Sequence, residues 1–144
     1  MKKVLWVVAA ALVTPDYQVL LSQRPAGKTL AGLWEYPGGK IEKDETPEIA
    51  LCRELNEELS LSVLPEDLEP LTFASFDYPD FHLVMPLFVC RKWQGDIVPK
   101  EGQKVAFVDA KTVGSDLDGY PMPPADDKLS LSLRQWAEIE RKGR

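Results

Sequence analysis

The sequence predicts an α/β domain, a mixed β-sheet with helices packed on its faces, and three observations lead there. Apolar runs of strand length and segments of helical period follow one another in the order strands, helix, strands, helix. Both helical segments carry an apolar stripe on one side only, as a helix lying on a sheet requires. The 144 residues suffice for one hydrophobic core and leave no room for two, so residues 1–144 are expected to form a single domain.

The elements are justified in chain order. Residues 4–13 (VLWVVAAALV) are rich in Val, Leu and Trp, and the turn residues Thr14-Pro15-Asp16 lead into a second β-rich run at 18–22. This reads as a buried strand followed by its hairpin partner. The basic start and the small residues Ala9 to Ala11 also outline a secretory signal. The run is short of the roughly 20 apolar residues of a membrane span, and no cysteine framework supports export, so the strand reading is preferred. Residues 24–44, punctuated by Ala26-Gly27, Ala31-Gly32 and Pro37-Gly38-Gly39, read as an extended loop with tight turns. Thr46-Pro47-Glu48 supplies an N-cap hydroxyl, a proline at N1 and an acid in the first turn, and starts a helix over 47–59 with Leu51, Leu55 and Leu59 on its apolar side. Pro65 and Pro70 mark another loop. Strands are expected at 71–78 and 81–93, separated by Pro79-Asp80, with a short one at 105–108. A second helix starts at Asp126, with Leu129, Leu133 and Trp136 at i, i+4 and i+7.

Composition narrows the function. With 44% hydrophobic and 28% charged residues the chain is an ordinary folded domain, neither disordered nor fibrous. Seventeen Lys+Arg against 23 Asp+Glu, a formal charge of −6, provide no broad basic field for a nucleic-acid polymer, so a polyanionic ligand must be met by metal ions or a few local cations. Cys52 and Cys90 form neither a disulfide framework nor a zinc spacing; they read as core residues and point to a reducing, cytoplasmic compartment. His82, the only histidine, has no accompanying Ser or Cys signature and reads as structural.

The informative segment is Gly38 to Leu61. On a helix Glu54, Glu57 and Glu58 stand at i, i+3 and i+4, so their carboxylates share one face. An acidic helix face is ordinarily a solvated one. Here it has company: Arg53 inside the cluster, and a Gly-rich turn with Lys40, Glu42 and Glu45 just upstream. Clustered carboxylates suit hard divalent cations, and a turn poor in side chains lets phosphates approach backbone. Together they describe a metal-and-phosphate site.

The spacing G-x5-E-x7-R-E-U-x-E-E-x-G-U, with U apolar, resembles the signature of the Nudix hydrolases. Gly39, Glu45, Arg53, Glu54, Leu55, Glu57, Glu58 and Leu61 are in register. Ser60 replaces the family's glycine at the helix end, where a left-handed non-glycine residue costs about 1 kcal/mol. The stretch LLSQRPAGKTLAGLWEYPGGKIE, the segment YPDFH, Glu101-Gly102-Gln103 and YPMPPAD further resemble the MutT subfamily of nucleoside triphosphate pyrophosphohydrolases.

The resemblance implies an α/β/α sandwich around a mixed β-sheet, with Mg²⁺, or Mn²⁺ as a substitute, bridging carboxylates and phosphates. Carried over by position, the metal ligands are the Gly38 carbonyl, Glu54, Glu57, Glu58 and Glu101. Glu54 is the candidate general base or a ligand only. Glu45 and Arg53 are expected to pair, in a catalytic or a positioning task. Arg24 and Lys40 are the phosphate contacts. Tyr36 and Tyr78 line a nucleobase pocket or pack in the core. Asp126 stands where the bacterial 8-oxo-dGTP enzymes carry Asn, and CTP-directed relatives resemble this chain in having Asp there; it reads the base or N-caps the last helix. The implied activity is hydrolysis of a modified or oxidised nucleoside triphosphate such as 8-oxo-dGTP to monophosphate and pyrophosphate, in nucleotide-pool sanitisation. The alternatives are a CTP or 5-methyl-dCTP preference, a nucleotide-conjugate hydrolase, and a noncatalytic oxidised-guanine recognition domain. The expected partner is a small nucleotide rather than nucleic acid or membrane, and the expected state is monomer or homodimer.

Overall fold

The computed structural model describes residues 2–27, 31–115 and 119–143. Among them the strands are β1 (Lys3–Leu12), β2 (Gln18–Gln23), β3 (Trp34–Glu35), β4 (Gly38–Lys40), β5 (Leu68–Asp77), β6 (Phe81–Cys90) and β7 (Val105–Asp109), and the helices are α1 (Pro47–Leu59) and α2 (Asp126–Lys142). A 3-10 turn at Pro65–Asp67 precedes β5. The strands form a four-stranded mixed sheet, β4-β1-β6-β5, and a three-stranded antiparallel sheet, β3-β2-β7. Only β1 and β6 run parallel, joined by the crossover through α1.

Alternation along β1 explains the three layers. Val8, Ala10 and Leu12 join Leu51, Leu55 and Leu59 of α1 in one cluster, while Ala9, Ala11 and Val13 join Leu129 and Leu133 of α2 in another. Side chains on a strand alternate faces, so a strand covered on both sides must be apolar throughout. That is why β1 reads as a continuous apolar run, and its pairing on both edges assigns residues 3–12 to the sheet. Leu20 on one face of β2 and Val19 and Leu21 on the other divide between the same clusters, so both sheets lie in one layer between the helices. No helix among the described residues is long and apolar enough to cross a membrane.

Helix α1 starts and stops where its signals stand. The Thr46 hydroxyl accepts the Ile49 N–H at 3.2 Å, and Ser60 is left-handed at φ 62°. Other expectations need correction. Strand β2 is not a hairpin partner of β1: a single bridge, Val13 to Val19, joins them before β2 leaves for β3 and β7. Both edges of β1 are taken by β4 and β6. The stretch 24–44 is not loop alone, since it holds β3 and β4. Pro70 lies inside β5, at a register shift on the sheet edge, where a missing N–H costs least. The third long strand ends at Cys90 rather than 93. Cys90 is buried and Cys52 half-buried, both against the α1 core.

Candidate active site

The glycines of the turn are fixed by what crowds them. Strand β4 pairs with β1 through Val8–Gly39 and Ala9–Gly38. A Cβ on Gly38 would overlap the Val8 carbonyl, and one on Gly39 would stand 2.5 Å from Glu54 Oε2. The Glu54 carboxylate therefore rests on bare backbone. Arg53 holds the arrangement: it donates to both Glu45 oxygens at 2.7 and 2.8 Å, to Glu54 Oε1 at 2.9 Å, to Glu57 Oε2 at 3.3 Å and to the Lys40 carbonyl at 3.2 Å. The Arg53 guanidinium and the Glu42 amide hold the Glu45 carboxyl down at a pKa of about 2. This pairing clamps the turn to α1.

The carboxylates part company across the helix. Glu57 turns outward, with 59% of its side chain exposed. Glu58 faces inward, where burial and the nearby acids Glu54, Glu101 and Glu35 raise its pKa to about 8. Glu101 reaches Glu58 because its loop is tied to the end of α1. The Val98 N–H donates to the Leu59 carbonyl and the Lys100 N–H to the Glu58 carbonyl, both at 2.9 Å. These are helix-terminal carbonyls with no partner inside the helix. Among the described residues no three His, Cys, Asp or Glu side chains converge on one ligating point.

Gly38, Lys40, Glu58 and Glu101 line a cleft of about 730 Å³ that runs to Tyr78 and Asp126, within the size range of small-molecule sites. Between its ends stands Arg24, whose Nη1 donates to Glu35 at 3.0 and 3.3 Å. Tyr36 serves both readings made of it: it lines the cleft, is 5% exposed in the α2-side core, and its hydroxyl lies 2.8 Å from Ser130 Oγ. Tyr78 stacks obliquely with Phe81 at 5.1 Å on the rim.

Asp126 departs from its expected cap. The N-cap of α2 is Ala125, and no side chain caps the helix. Asp126 is instead 3% exposed and lines the cleft, and its carboxyl accepts no hydrogen bond from the described residues. Burial, with Glu35 and Asp127 nearby, raises its pKa to about 8 against the pull of Arg24. Below that pH it is a carboxylic acid that donates one hydrogen bond and accepts another, the pattern Asn presents. The contrast between Asp and Asn drawn from the sequence shrinks accordingly.

Sequence reasoning missed Glu35 and Phe81. Phe81 had a signal, the alternation Phe81, Leu83, Met85 that sends one face of β6 into the cleft; Glu35 had none. A serine does accompany His82 in space: Nε2 lies 2.7 Å from Ser75 Oγ and Nδ1 3.3 Å from Asp77 Oδ1. This cross-strand set lies outside the cleft lining.

Residues 4–127 match the model of the NUDIX domain. The chain belongs to that family. Over 132 residues it is 54% identical to the "CTP pyrophosphohydrolase" of Escherichia coli, covering 85% of this chain and 86% of the relative. It is 30% identical to the "8-oxo-dGTP diphosphatase" of the same organism, covering 94% of this chain and 99% of that one. A solved MutT structure, from work on Aliivibrio salmonicida and Vibrio cholerae, superposes with a TM-score of 0.77 at 27% identity, covering 93% of this chain and 99% of that chain. Glu45, Arg53 and Glu58 all lie within the matched residues, in a hydrolase family whose relatives here are named a diphosphatase and a pyrophosphohydrolase.

Proposed function

We propose that this chain hydrolyses nucleoside triphosphates, with a cytosine or an oxidised guanine base, to the monophosphate and pyrophosphate. The observation that carries the reading is one cleft joining two unlike ends: the carboxylates on α1 at one, and the buried Asp126 carboxyl at the other. A polyanion with an aromatic head spans such a cleft, its phosphates toward Lys40 and Arg24 and its base between Tyr78 and Asp126.

The donor set suits a hard divalent cation. It is all oxygen, from Glu54, Glu58, Glu101 and the Gly38 carbonyl, and the like charges that push up Glu58 are relieved by a cation. These residues would hold Mg²⁺, with Glu57 reaching in from the solvent side. The ion would neutralise phosphate charge and lower the pKa of a water. Glu54, directed by Arg53 and seated on Gly39, accepts the proton of the attacking water. A new P–O bond forms as the bond to the departing pyrophosphate breaks, and Arg24 and Lys40 balance the charge on the oxygens. Tyr78 offers a face for stacking, and the protonated Asp126 pairs with a base edge carrying one donor and one acceptor. Cytosine and 8-oxoguanine both present such an edge. The relative at 54% identity, named for CTP, favours cytosine.

Initial rates with Mg²⁺ for CTP, dCTP, 5-methyl-dCTP, 8-oxo-dGTP and ADP-ribose test this. The reading expects triphosphates to lead by at least about tenfold in kcat/KM, a difference of about 1.4 kcal/mol. ADP-ribose leading would replace it with a conjugate hydrolase.

A further inference from the structure

The cleft takes an anion, yet Glu35 stands inside it. Among the described residues of the lining, acids outnumber lysine and arginine: Glu35, Glu58, Asp80, Glu101 and Asp126 against Arg24 and Lys40. Glu35 is among the charges that disfavour ionisation of both Glu58 and Asp126, which places it between the two ends. A carboxylate here works against every other anion in the cleft, including an incoming polyphosphate. Among the described residues, the side chain that meets its charge is Arg24. Both Glu35 oxygens meet the same Arg24 nitrogen, Nη1, and both side chains are about one-third exposed, at 34% and 31%. The backbone supports the pair: Glu35 sits opposite Ser22 in the β2–β3 ladder, and the Arg24 N–H donates to the Leu33 carbonyl at 2.9 Å.

We propose that Glu35 is a positioning residue for Arg24, aiming its guanidinium at the phosphate next to the sugar, so that an acid inside the anion site strengthens anion binding. A bond from one terminal nitrogen sets the direction of the planar fork without using both arms in that pair. The inference rests on the reading of Arg24 as a phosphate contact.

The sign of one effect separates this role from a bystander charge. KM and kcat are measured for CTP and 8-oxo-dGTP with Mg²⁺ in wild type, Glu35→Gln, Glu35→Asp, Arg24→Ala and the double variant Glu35→Gln/Arg24→Ala, with Tm alongside. If Glu35 positions Arg24, Glu35→Gln raises KM about fivefold with kcat and Tm nearly unchanged, Glu35→Asp recovers part of it, and the change vanishes when Arg24 is already Ala. If Glu35 is only a like charge, Glu35→Gln lowers KM, and lowers it equally with or without Arg24; either result overturns the proposal. Should Arg24→Ala leave KM unchanged, the phosphate-contact reading fails, and this inference with it. Should Arg24→Ala raise KM while Glu35→Gln does not, only this inference fails.

Discussion

Adding one methyl at Gly39 tests whether the seat under Glu54 matters for turnover. A Cβ there stands 2.5 Å from Glu54 Oε2 and 2.7 Å from Oε1, where ordinary contact begins at 3.4 Å. The carboxylate must retreat by about 1 Å, because the Cβ is fixed to a paired strand and the carboxylate ends a rotatable side chain. Gly39 is not in the left-handed region, so alanine adds no backbone strain. The stability cost should therefore be near the low end for overpacking, about 1 kcal/mol, or about 3 °C in Tm. Displacing a reacting group by nearly 1 Å costs about a hundredfold in rate. Steady-state kinetics on Gly39→Ala should show kcat down by about that factor, KM changed far less, and a folded protein by circular dichroism. A kcat within about threefold of wild type would show that the position of Glu54 is not critical, and would refute the role given to it.

Four further outcomes follow from the same geometry. Glu58→Gln should abolish most turnover yet raise the stability of the metal-free protein. The folded pKa of about 8 lies above the ordinary carboxyl value of 4.5, so wild type loses stability as pH rises across that interval and the variant keeps it; melting curves at several pH values check this. Glu57→Gln should gain no such stability, because Glu57 is exposed and bonded to Arg53. Asp126→Asn should leave the ratio of rates on 8-oxo-dGTP and CTP nearly unchanged at about pH 6.5, where both side chains donate and accept, and diverge from wild type at about pH 9, where Asp126 has lost its proton; a pH-independent difference would count against the protonated form. Ser60→Gly should raise Tm by about 2–4 °C with activity intact, since glycine relieves the left-handed strain at φ 62°.

Features written in local chemistry were legible in the sequence. Helix α1 is bounded by Thr46 and Ser60, and its Leu51, Leu55 and Leu59 stripe needs nothing distant to be read. The apolar run of β1 announced a strand covered on both faces. Sheet partnership was not legible: β2 lies next to β1 in sequence, but the edges of β1 belong to β4 and β6, and β3 and β4 are too short to show a period. The acids of the site were found by spacing, but spacing alone put Glu57 and Glu58 on a par. Arg53 draws one of them outward while the core buries the other. Asp126 looked like a cap because it stands one residue inside the helix, and only the fold reveals that its side chain turns into the cleft. Glu35 could be recognised only once β3 was placed beside Arg24.

The measurement that bears most directly on the central reading is product analysis. CTP and 8-oxo-dGTP are incubated with the protein and Mg²⁺, and with Mg²⁺ removed by chelator, and the products are resolved by anion-exchange chromatography and ³¹P NMR. The account predicts nucleoside monophosphate and pyrophosphate in equal amounts, formed only with the cation present and lost in Glu58→Gln. Nucleoside diphosphate with orthophosphate, or turnover that persists in chelator, would contradict it.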